Sequence, residues 1–383
     1  MSNKEFKKSE VFTISAAHML HDTYSAFLAP LLPLLIEKLG MSLSTSALLE
    51  IIRRIPTLFN PFFGLIVEKT GVKYFVILTP AITAISMSLI GLAQSYTVLF
   101  ILLFVSGISA ALFHVPSPVM IKEASGNKIG TGMSWFMVGG ESARTIGPLL
   151  VTAAVTLWGL EGIYKLMPLG LIATFILYLK LKDFDMVHPV RKAKEKGDTR
   201  KLLKKYTPFF TVLAAYIFFQ AGMKSALTLY LPVYLTSQGE SLWYAGVSLS
   251  ILQFFGVLGA FFSGNLSDRI GRKNTLVITS FGAAVCMGLF IYVGNIFILA
   301  FLGLFLLSSG PVIMASVQDT HTHMPTFMNG MYMTISFGIT SIVVFGVGLL
   351  GDNLGLQTTY IICNVLAIGS IPFAFLLTKF IKN

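Results

Sequence analysis

His18, His21 and Asp22 stand at i, i+3 and i+4 in an apolar run, so on a helix they share one face. Imidazoles beside a carboxylate can take up and release protons, and an acid buried in lipid costs at least about 2.5 kcal/mol on insertion scales, which marks the group as functional. Other apolar runs are interrupted in the same way. Glu50 precedes Arg53 and Arg54 by three and four residues, Glu141 precedes Arg144 by three, and Lys224 follows Gln220 by four. Forked arginine donors suit carboxylate or phosphonate oxygens, so Arg53, Arg54, Arg144, Lys224 and Gln220 are candidate substrate ligands, with Trp135 as an apolar wall. Glu50 is expected to neutralise one arginine and leave the other, Arg54, facing the interior. Asp22 and Glu141 are candidate proton carriers, joined by His18, His21 and His114.

Each of these groups has a plainer reading. Asp22 could hold a fixed ion pair with an arginine, Glu141 could simply pair with Arg144 along its helix, and Lys224 could snorkel or be salt-bridged. His18, His21 and Asp22 also have the facial spacing of a transition-metal site, with His114 as a fourth donor, although the neighbouring arginines weigh against a cation. His321 and His323, beside Asp319, read as a hydrated loop or as a further proton or ligand group. Phe136, Phe218, Phe219, Phe254 and Phe255 read as packing.

The elements that position these residues follow from composition. A chain that is 55% hydrophobic and only 12% charged, with a mean hydropathy of +0.78, is a polytopic membrane protein rather than a soluble domain. Cutting the apolar runs at their polar breaks gives twelve spans, near 12–37, 45–67, 74–93, 97–120, 131–157, 161–180, 208–236, 242–266, 274–293, 296–317, 327–350 and 357–379. The first follows Lys4, Lys7 and Lys8 with no small-residue cleavage site and reads as an uncleaved helix. Cys286 and Cys363 lie in apolar runs without metal-site spacing.

Of the 28 lysines and arginines, 22 fall on one side of these spans, and only Lys38 and Lys165 fall in loops on the other. The positive-inside rule then places both termini and the long central loop in the cytoplasm. The net charge of +11 is therefore mainly a topology signal, and no nucleic-acid partner is expected. The sequence divides into a six-helix bundle over 1–180, a cytoplasmic linker over 181–207 and a second six-helix bundle over 208–383. The halves echo each other: "GLIVEKTGVKYFVI" at 64–77 matches "GNLSDRIGRKNTLVI" at 264–278, and "GMSWFMVGG" at 132–140 matches "GMYMTISFG" at 330–338. Such repeats predict pseudo-twofold bundles with a midplane substrate site.

"GNLSDRIGRK" resembles the cytoplasmic loop motif of the major facilitator superfamily at Gly264, Asp268, Arg269, Gly271, Arg272 and Lys273. The resemblance implies the major facilitator fold, an all-α membrane protein of twelve helices, and a latch in which the aspartate meets basic side chains or helix N-termini. The first-half copy keeps Gly64, with Glu68 in the acid position and Lys69 and Val72 in place of two arginines, which implies a weaker latch. Within the superfamily the chain resembles the fosmidomycin-resistance group of bacterial drug exporters. That likeness rests on "HMLHD" (18–22), "LFH" (112–114), "ASG" (124–126), "VGG" (138–140) and "GPLL" (147–150). It departs where the group has an acid and a base after the helix 4 histidine, since this chain reads "VPSPVM" (115–120), so the group's phosphonate need not be its substrate. Ser134, Ala143, Gly147 and Pro148 resemble a worn version of the superfamily's antiporter motif.

Together these features predict a secondary transporter of the inner membrane, a proton-coupled antiporter exporting a small organic solute of drug-like, anionic or zwitterionic character. Proton-coupled uptake of a small anion, or transport of a metal ion or chelate, are the alternatives. No Walker sequence or catalytic motif is present, so neither an ATP-driven pump nor an enzyme is indicated, and no cofactor is expected. The expected partners are the solute, protons and the bilayer, with the chain acting as a monomer.

Overall fold

A computed structural model describes residues 5–60, 63, 72–184, 199–320, 325–377 and 379. Among these the chain is helical, with no strand. Among the described residues, nine stretches are long and apolar enough to cross a membrane. The longest, Gly330–Leu377, turns at Gly355, whose φ of +76° is a conformation open chiefly to glycine, and so it covers two of the expected spans. The fifth expected span is the helix Ile129–Trp158; the second is described as Leu43–Arg54 followed by the turn Ile55–Phe59, and 61–62 and 64–67 of it lie outside the described residues. Gly64, Glu68, Lys69, His321 and His323 also lie outside them.

The described residues form two compact units. One comprises those of 1–41, 48–191 and 239–250; the other, those of 42–47, 192–238 and 251–383. The first unit contains α1 (Lys8–Ser25), α2 (Leu28–Leu39), most of α3 (Leu43–Arg54), α4 (Val72–Leu89), α5 (Tyr96–His114), α6 (Ser117–Ser125), α7 (Ile129–Trp158) and α8 (Met167–Leu181). The first expected span falls within the single stretch Lys8–Leu39, but its helix is interrupted between Ser25 and Leu28. Pro30 has no N–H to return to the Ala26 carbonyl, so the ladder tightens through Phe27 N–H to the Tyr24 carbonyl (3.1 Å) before α2 begins. The fourth span likewise breaks after His114, where Pro116 and Pro118 follow.

α1 lies against α7 and α4, and Val11, Ile14, Ala17, Ile77, Phe113 and Phe136 form the buried core between these helices and α5. The close fit of α1 and α7 depends on glycine. A methyl group at Gly139 would fall 2.4 Å from the Ser15 carbonyl oxygen, and one at Gly147 would fall 2.7 Å from that of Thr23. Gly147, of the worn antiporter motif, and Gly139 on the same helix thus allow backbone to meet backbone.

The second unit contains α9 (Thr199–Thr228), α10 (Leu231–Ser237), most of α11 (Leu242–Ile270), α12 (Arg272–Val293), α13 (Ile296–Leu306), α14 (Ser309–Gln318), α15 (Pro325–Ile368) and α16 (Ser370–Leu377). Its core joins Phe209, Leu213, Tyr216, Leu276, Val312 and Ala374. Asp352 caps the N-terminal turn of α3, which belongs to this unit: its carboxylate accepts from the N–H groups of Leu43 (2.7 Å) and Ser44 (3.0 Å).

Candidate functional site

The helical stripe expected at His18, His21 and Asp22 exists, and it faces the interior of the first unit. His21 is fully buried, the side chain of His18 is 8% exposed and that of Asp22 is 14% exposed. Asp22 is the hub. Its Oδ1 lies 3.0 Å from His21 Nδ1 and 3.3 Å from His114 Nε2, while Oδ2 lies 3.3 Å from His18 Nε2. His114 reaches the hub because α5 ends there: the proline-induced break leaves it at the last turn, half-exposed, pointing toward α1.

The plainer reading of Asp22, a fixed ion pair with an arginine, is not what the structure shows. Among the described residues its ion-pair partners are the three histidines. The reason is local: Arg53, Arg54 and Arg144 each have a nearer carboxylate on their own helix.

Each buried ring is held on both sides. Phe136 stacks on His18 with centroids 4.0 Å apart, and its carbonyl oxygen lies 2.8 Å from His18 Nδ1. Phe113 stacks on His21 at 4.7 Å and 10°. His21 Nε2 lies 2.9 Å from Thr83 Oγ1; Thr83 donates to Ser109 Oγ (2.8 Å), and Ser109 donates to the Thr79 carbonyl (2.8 Å). Gly140 completes the enclosure, since a methyl group there would stand 2.3 Å from His18 Cε1. Thr79, Thr83, Ser109 and the Phe136 carbonyl were not singled out by the sequence. A hydroxyl inside an apolar run is common, and only the helix packing shows which ones face the stripe.

The arginine cluster departs from expectation in a second way. Glu50 neutralises both arginines rather than one. Arg53 donates to it through Nε (3.1 Å) and Nη2 (2.9 and 3.0 Å), and Arg54 through Nε (2.5 Å). Residues at i+3 and i+4 flank the same carboxylate from its two sides, and both side chains are long enough to fold back. The trio carries a net positive charge, with Arg54 half-exposed. Glu141 and Arg144 form the intrahelical pair, Arg144 Nη1 donating to both carboxylate oxygens at 3.0 and 3.2 Å. Neither has an ion pair with the histidine cluster.

Trp135 packs on Phe12, with ring centroids 4.6 Å apart, and remains partly exposed. In the second unit, Gln220 donates to Ser370 Oγ (2.7 Å), and Lys224 stands one turn further along α9 on an exposed face. The loop motif is organised around Arg272 rather than around its neighbour Arg269, which is exposed. Gly271 adopts φ +87° between α11 and α12. Arg272 then donates to Asp268 (2.5 Å), to Ser267 Oγ (2.6 Å) and to Asp319 (2.9 Å) at the end of α14. Asp319 is a further acceptor in the hydrogen-bond network of the loop motif. Lys273 lies over the Phe375 ring, and Gly264 has open space around it.

A metal donor set can be drawn from His18, Asp22 and His114, whose ligating atoms lie within 4.8 Å of one another. That set leaves out His21, the closest and most deeply buried of the three rings. A hydrogen-bonded acid with three imidazoles uses all four groups.

The model of the Major Facilitator Superfamily matches residues 14–344. Among curated proteins, the chain is similar to the fosmidomycin resistance protein of Escherichia coli (strain K12), at 22% identity over 97% of this chain and 92% of that one. It is also similar to the multidrug resistance protein MdtG of Proteus mirabilis (strain HI4320), at 25% identity over 66% of each chain. Among solved structures, it shares its fold with a bacterial homologue of the human lysosomal transporter Spinster, with a TM-score of 0.79 and 12% identity over 99% of both chains. A mutant form of the nucleoside transporter NupG gives 0.77 at 15% identity, over 98% of this chain and 100% of the other. The matched residues, the loop motif around Gly271 and Arg272 and the helical architecture lead to one assignment: the chain is a multi-pass membrane protein of the Major Facilitator Superfamily, a family of transporters and not of enzymes.

Proposed function

We propose that the chain is a proton-coupled antiporter that exports a small organic solute, drug-like and anionic or zwitterionic, by alternating access. It works as a monomer in the inner membrane, with both termini in the cytoplasm. The observation that carries the reading is Asp22 ringed by His18, His21 and His114 inside a membrane-spanning unit. Such a group can hold a proton in a site that opens to either side in turn, and its occupancy changes how α1, α5 and α7 fit together. Relatives that confer fosmidomycin and multidrug resistance support export as the direction. The positive trio of Glu50, Arg53 and Arg54 supports a ligand carrying negative charge. The Arg272 network supports a cytoplasmic latch on one conformation.

In the proposed cycle, Asp22 and its histidines load protons from outside and release them to the cytoplasm as the solute leaves. Glu141, closed on Arg144, is the secondary proton candidate. The test uses everted membrane vesicles energised to an acidic interior, read with a pH-sensitive dye and challenged in turn with a phosphonate, a lipophilic cation, a small carboxylate and a divalent metal. Proton release on adding one class, lost in Asp22→Asn, supports the reading. Silence across the panel, with proton-driven accumulation of the carboxylate or phosphonate in intact cells, would replace export by uptake.

A further inference from the structure

Main-chain carbonyl oxygens only accept hydrogen bonds, and this fixes the polarity of the network around Asp22. Ser109 donates to the Thr79 carbonyl and therefore accepts from Thr83. Thr83 has then used its one proton, so its 2.9 Å contact with His21 Nε2 requires the ring to be the donor. A neutral His21 consequently carries its proton on Nε2 and turns a bare Nδ1 toward Asp22 Oδ1, 3.0 Å away. At His18 the Phe136 carbonyl takes the Nδ1 proton and leaves Nε2 bare, 3.3 Å from Asp22 Oδ2. With both rings neutral and Asp22 ionised, two nitrogen lone pairs would face two carboxylate oxygens in a buried site, an arrangement with no hydrogen bond in either contact.

Among the described residues no other charge is bonded to Asp22 to relieve this instead: Arg53 of α3 reaches α1 only at the Ser25 carbonyl (3.5 Å) and is paired with Glu50. α5 brings His114, whose half-exposed ring can take either tautomer and donate to Oδ1. On α7 the charged pair is Glu141 with Arg144, closed on itself. α4 presents the hydroxyl of Thr83 and the carbonyl of Thr79. Lys122 and Glu123 on α6, and Lys180 on α8, lie toward the opposite end of α1, where Lys7 N–H bonds the Ala124 carbonyl and the Lys7 ammonium covers the Phe184 ring.

We propose that Asp22, His18 and His21 together hold two protons beyond the state of ionised acid and neutral rings, one in each imidazole–carboxylate contact, and that Thr83, Ser109 and the Phe136 carbonyl are the positioning groups that impose this. The inference rests on reading the cluster as the proton-coupling site and deepens it to a two-proton acceptor. The protons sit either on both rings, or one on the carboxyl and one on a ring. In each case the atoms balance: every N···O contact contains one hydrogen, and no ring points its only neutral-state proton at Asp22.

The experiment is nitrogen NMR of the full chain in lipid, with the histidine rings labelled and the signals assigned by replacing His18 and His21 singly with Gln. At pH 7 at least one of the two rings is expected to be imidazolium. The other is expected to be imidazolium as well, or neutral with its proton on the nitrogen that faces away from Asp22. In Thr83→Val, His21 loses its acceptor and should appear neutral with the proton on Nδ1, while Thr83→Ser keeps the original pattern. Ser109→Ala, which lets Thr83 turn its proton toward His21, should give the same change as Thr83→Val and stands in if that variant does not fold. The inference is overturned if, in the unmodified chain, either ring is neutral with its proton on the nitrogen facing Asp22, or if both rings are neutral. Unchanged spectra in folded Thr83→Val and Ser109→Ala would overturn the positioning role. The spectra concern the resting protein, so their outcome is separate from the vesicle assay with Asp22→Asn, which tests coupling itself.

Discussion

His114 Nε2 lies 3.3 Å from Asp22 Oδ1, so a ring at the broken end of α5 completes a cluster begun on α1. This contact is the half-exposed door of an otherwise buried group. His114→Gln should leave the fold intact and slow proton exchange with Asp22, reducing solute-driven proton release in everted vesicles several-fold. Asp22→Asn should remove that release altogether. Wild-type release in Asp22→Asn would end the assignment of Asp22 to coupling.

Gly140 faces His18 with no room for a methyl group. The ring cannot swing aside without breaking its bond to the Phe136 carbonyl. Gly140→Ala is therefore expected to cost about 1–3 kcal/mol by overpacking and to lower the unfolding temperature in detergent. His18→Ala in the same background should recover part of that loss, because it removes the obstacle.

Glu50 holds two arginines at once. Glu50→Gln would leave partly buried Arg53 and half-exposed Arg54 side by side without their counter-charge, and with solvent screening Arg54 the change is expected to cost about 1–3 kcal/mol. Thermal unfolding of the purified variant gives the check. A loss no larger than that of a surface substitution would show that the trio is solvated.

Asp352 satisfies two N–H groups at the start of α3. Asp352→Ala should cost about 1 kcal/mol, and Asp352→Asn or Asp352→Ser less, since each keeps a capping oxygen. Equal losses in all three would show that charge rather than the cap holds the contact.

Arg272 serves three acceptors with one guanidinium. Arg272→Lys keeps the charge but not the fork, so it should behave nearly like Arg272→Ala in transport while remaining close to wild type in stability. Restoration of wild-type transport by lysine would show that charge alone operates the latch.

Much of this was legible in the sequence because helical spacing fixes which residues of one segment share a face. The stripe of His18, His21 and Asp22 and the pairing of Glu141 with Arg144 both follow from separations of a few residues. What spacing does not carry is the rotation of one helix against another. The arrival of His114 and Thr83 at the stripe, and the absence of an arginine beside Asp22, depend on where distant segments pack. The double pairing of Glu50 was missed for a different reason. Adjacent residues point to different sides of a helix, but long arginine side chains can bend back to a carboxylate lying between them. The first break, at residues 26 and 27, was in principle visible through Pro30, yet the run is apolar on both sides of it and so reads as one span.

At Gly139 the main chain of α7 stands against the main chain of α1 at Ser15 without any side chain as a cushion. Side chains between helices normally absorb small displacements by changing rotamer, and here none is available to do so. A sliding movement of α7 along α1 would thus arrive at the His18 ring undiminished, through the Phe136 carbonyl that holds it. The reverse also follows: a change in what His18 binds would be felt by the main chain of α7 at once, with the stiffness of a backbone and not the slack of a packed interface.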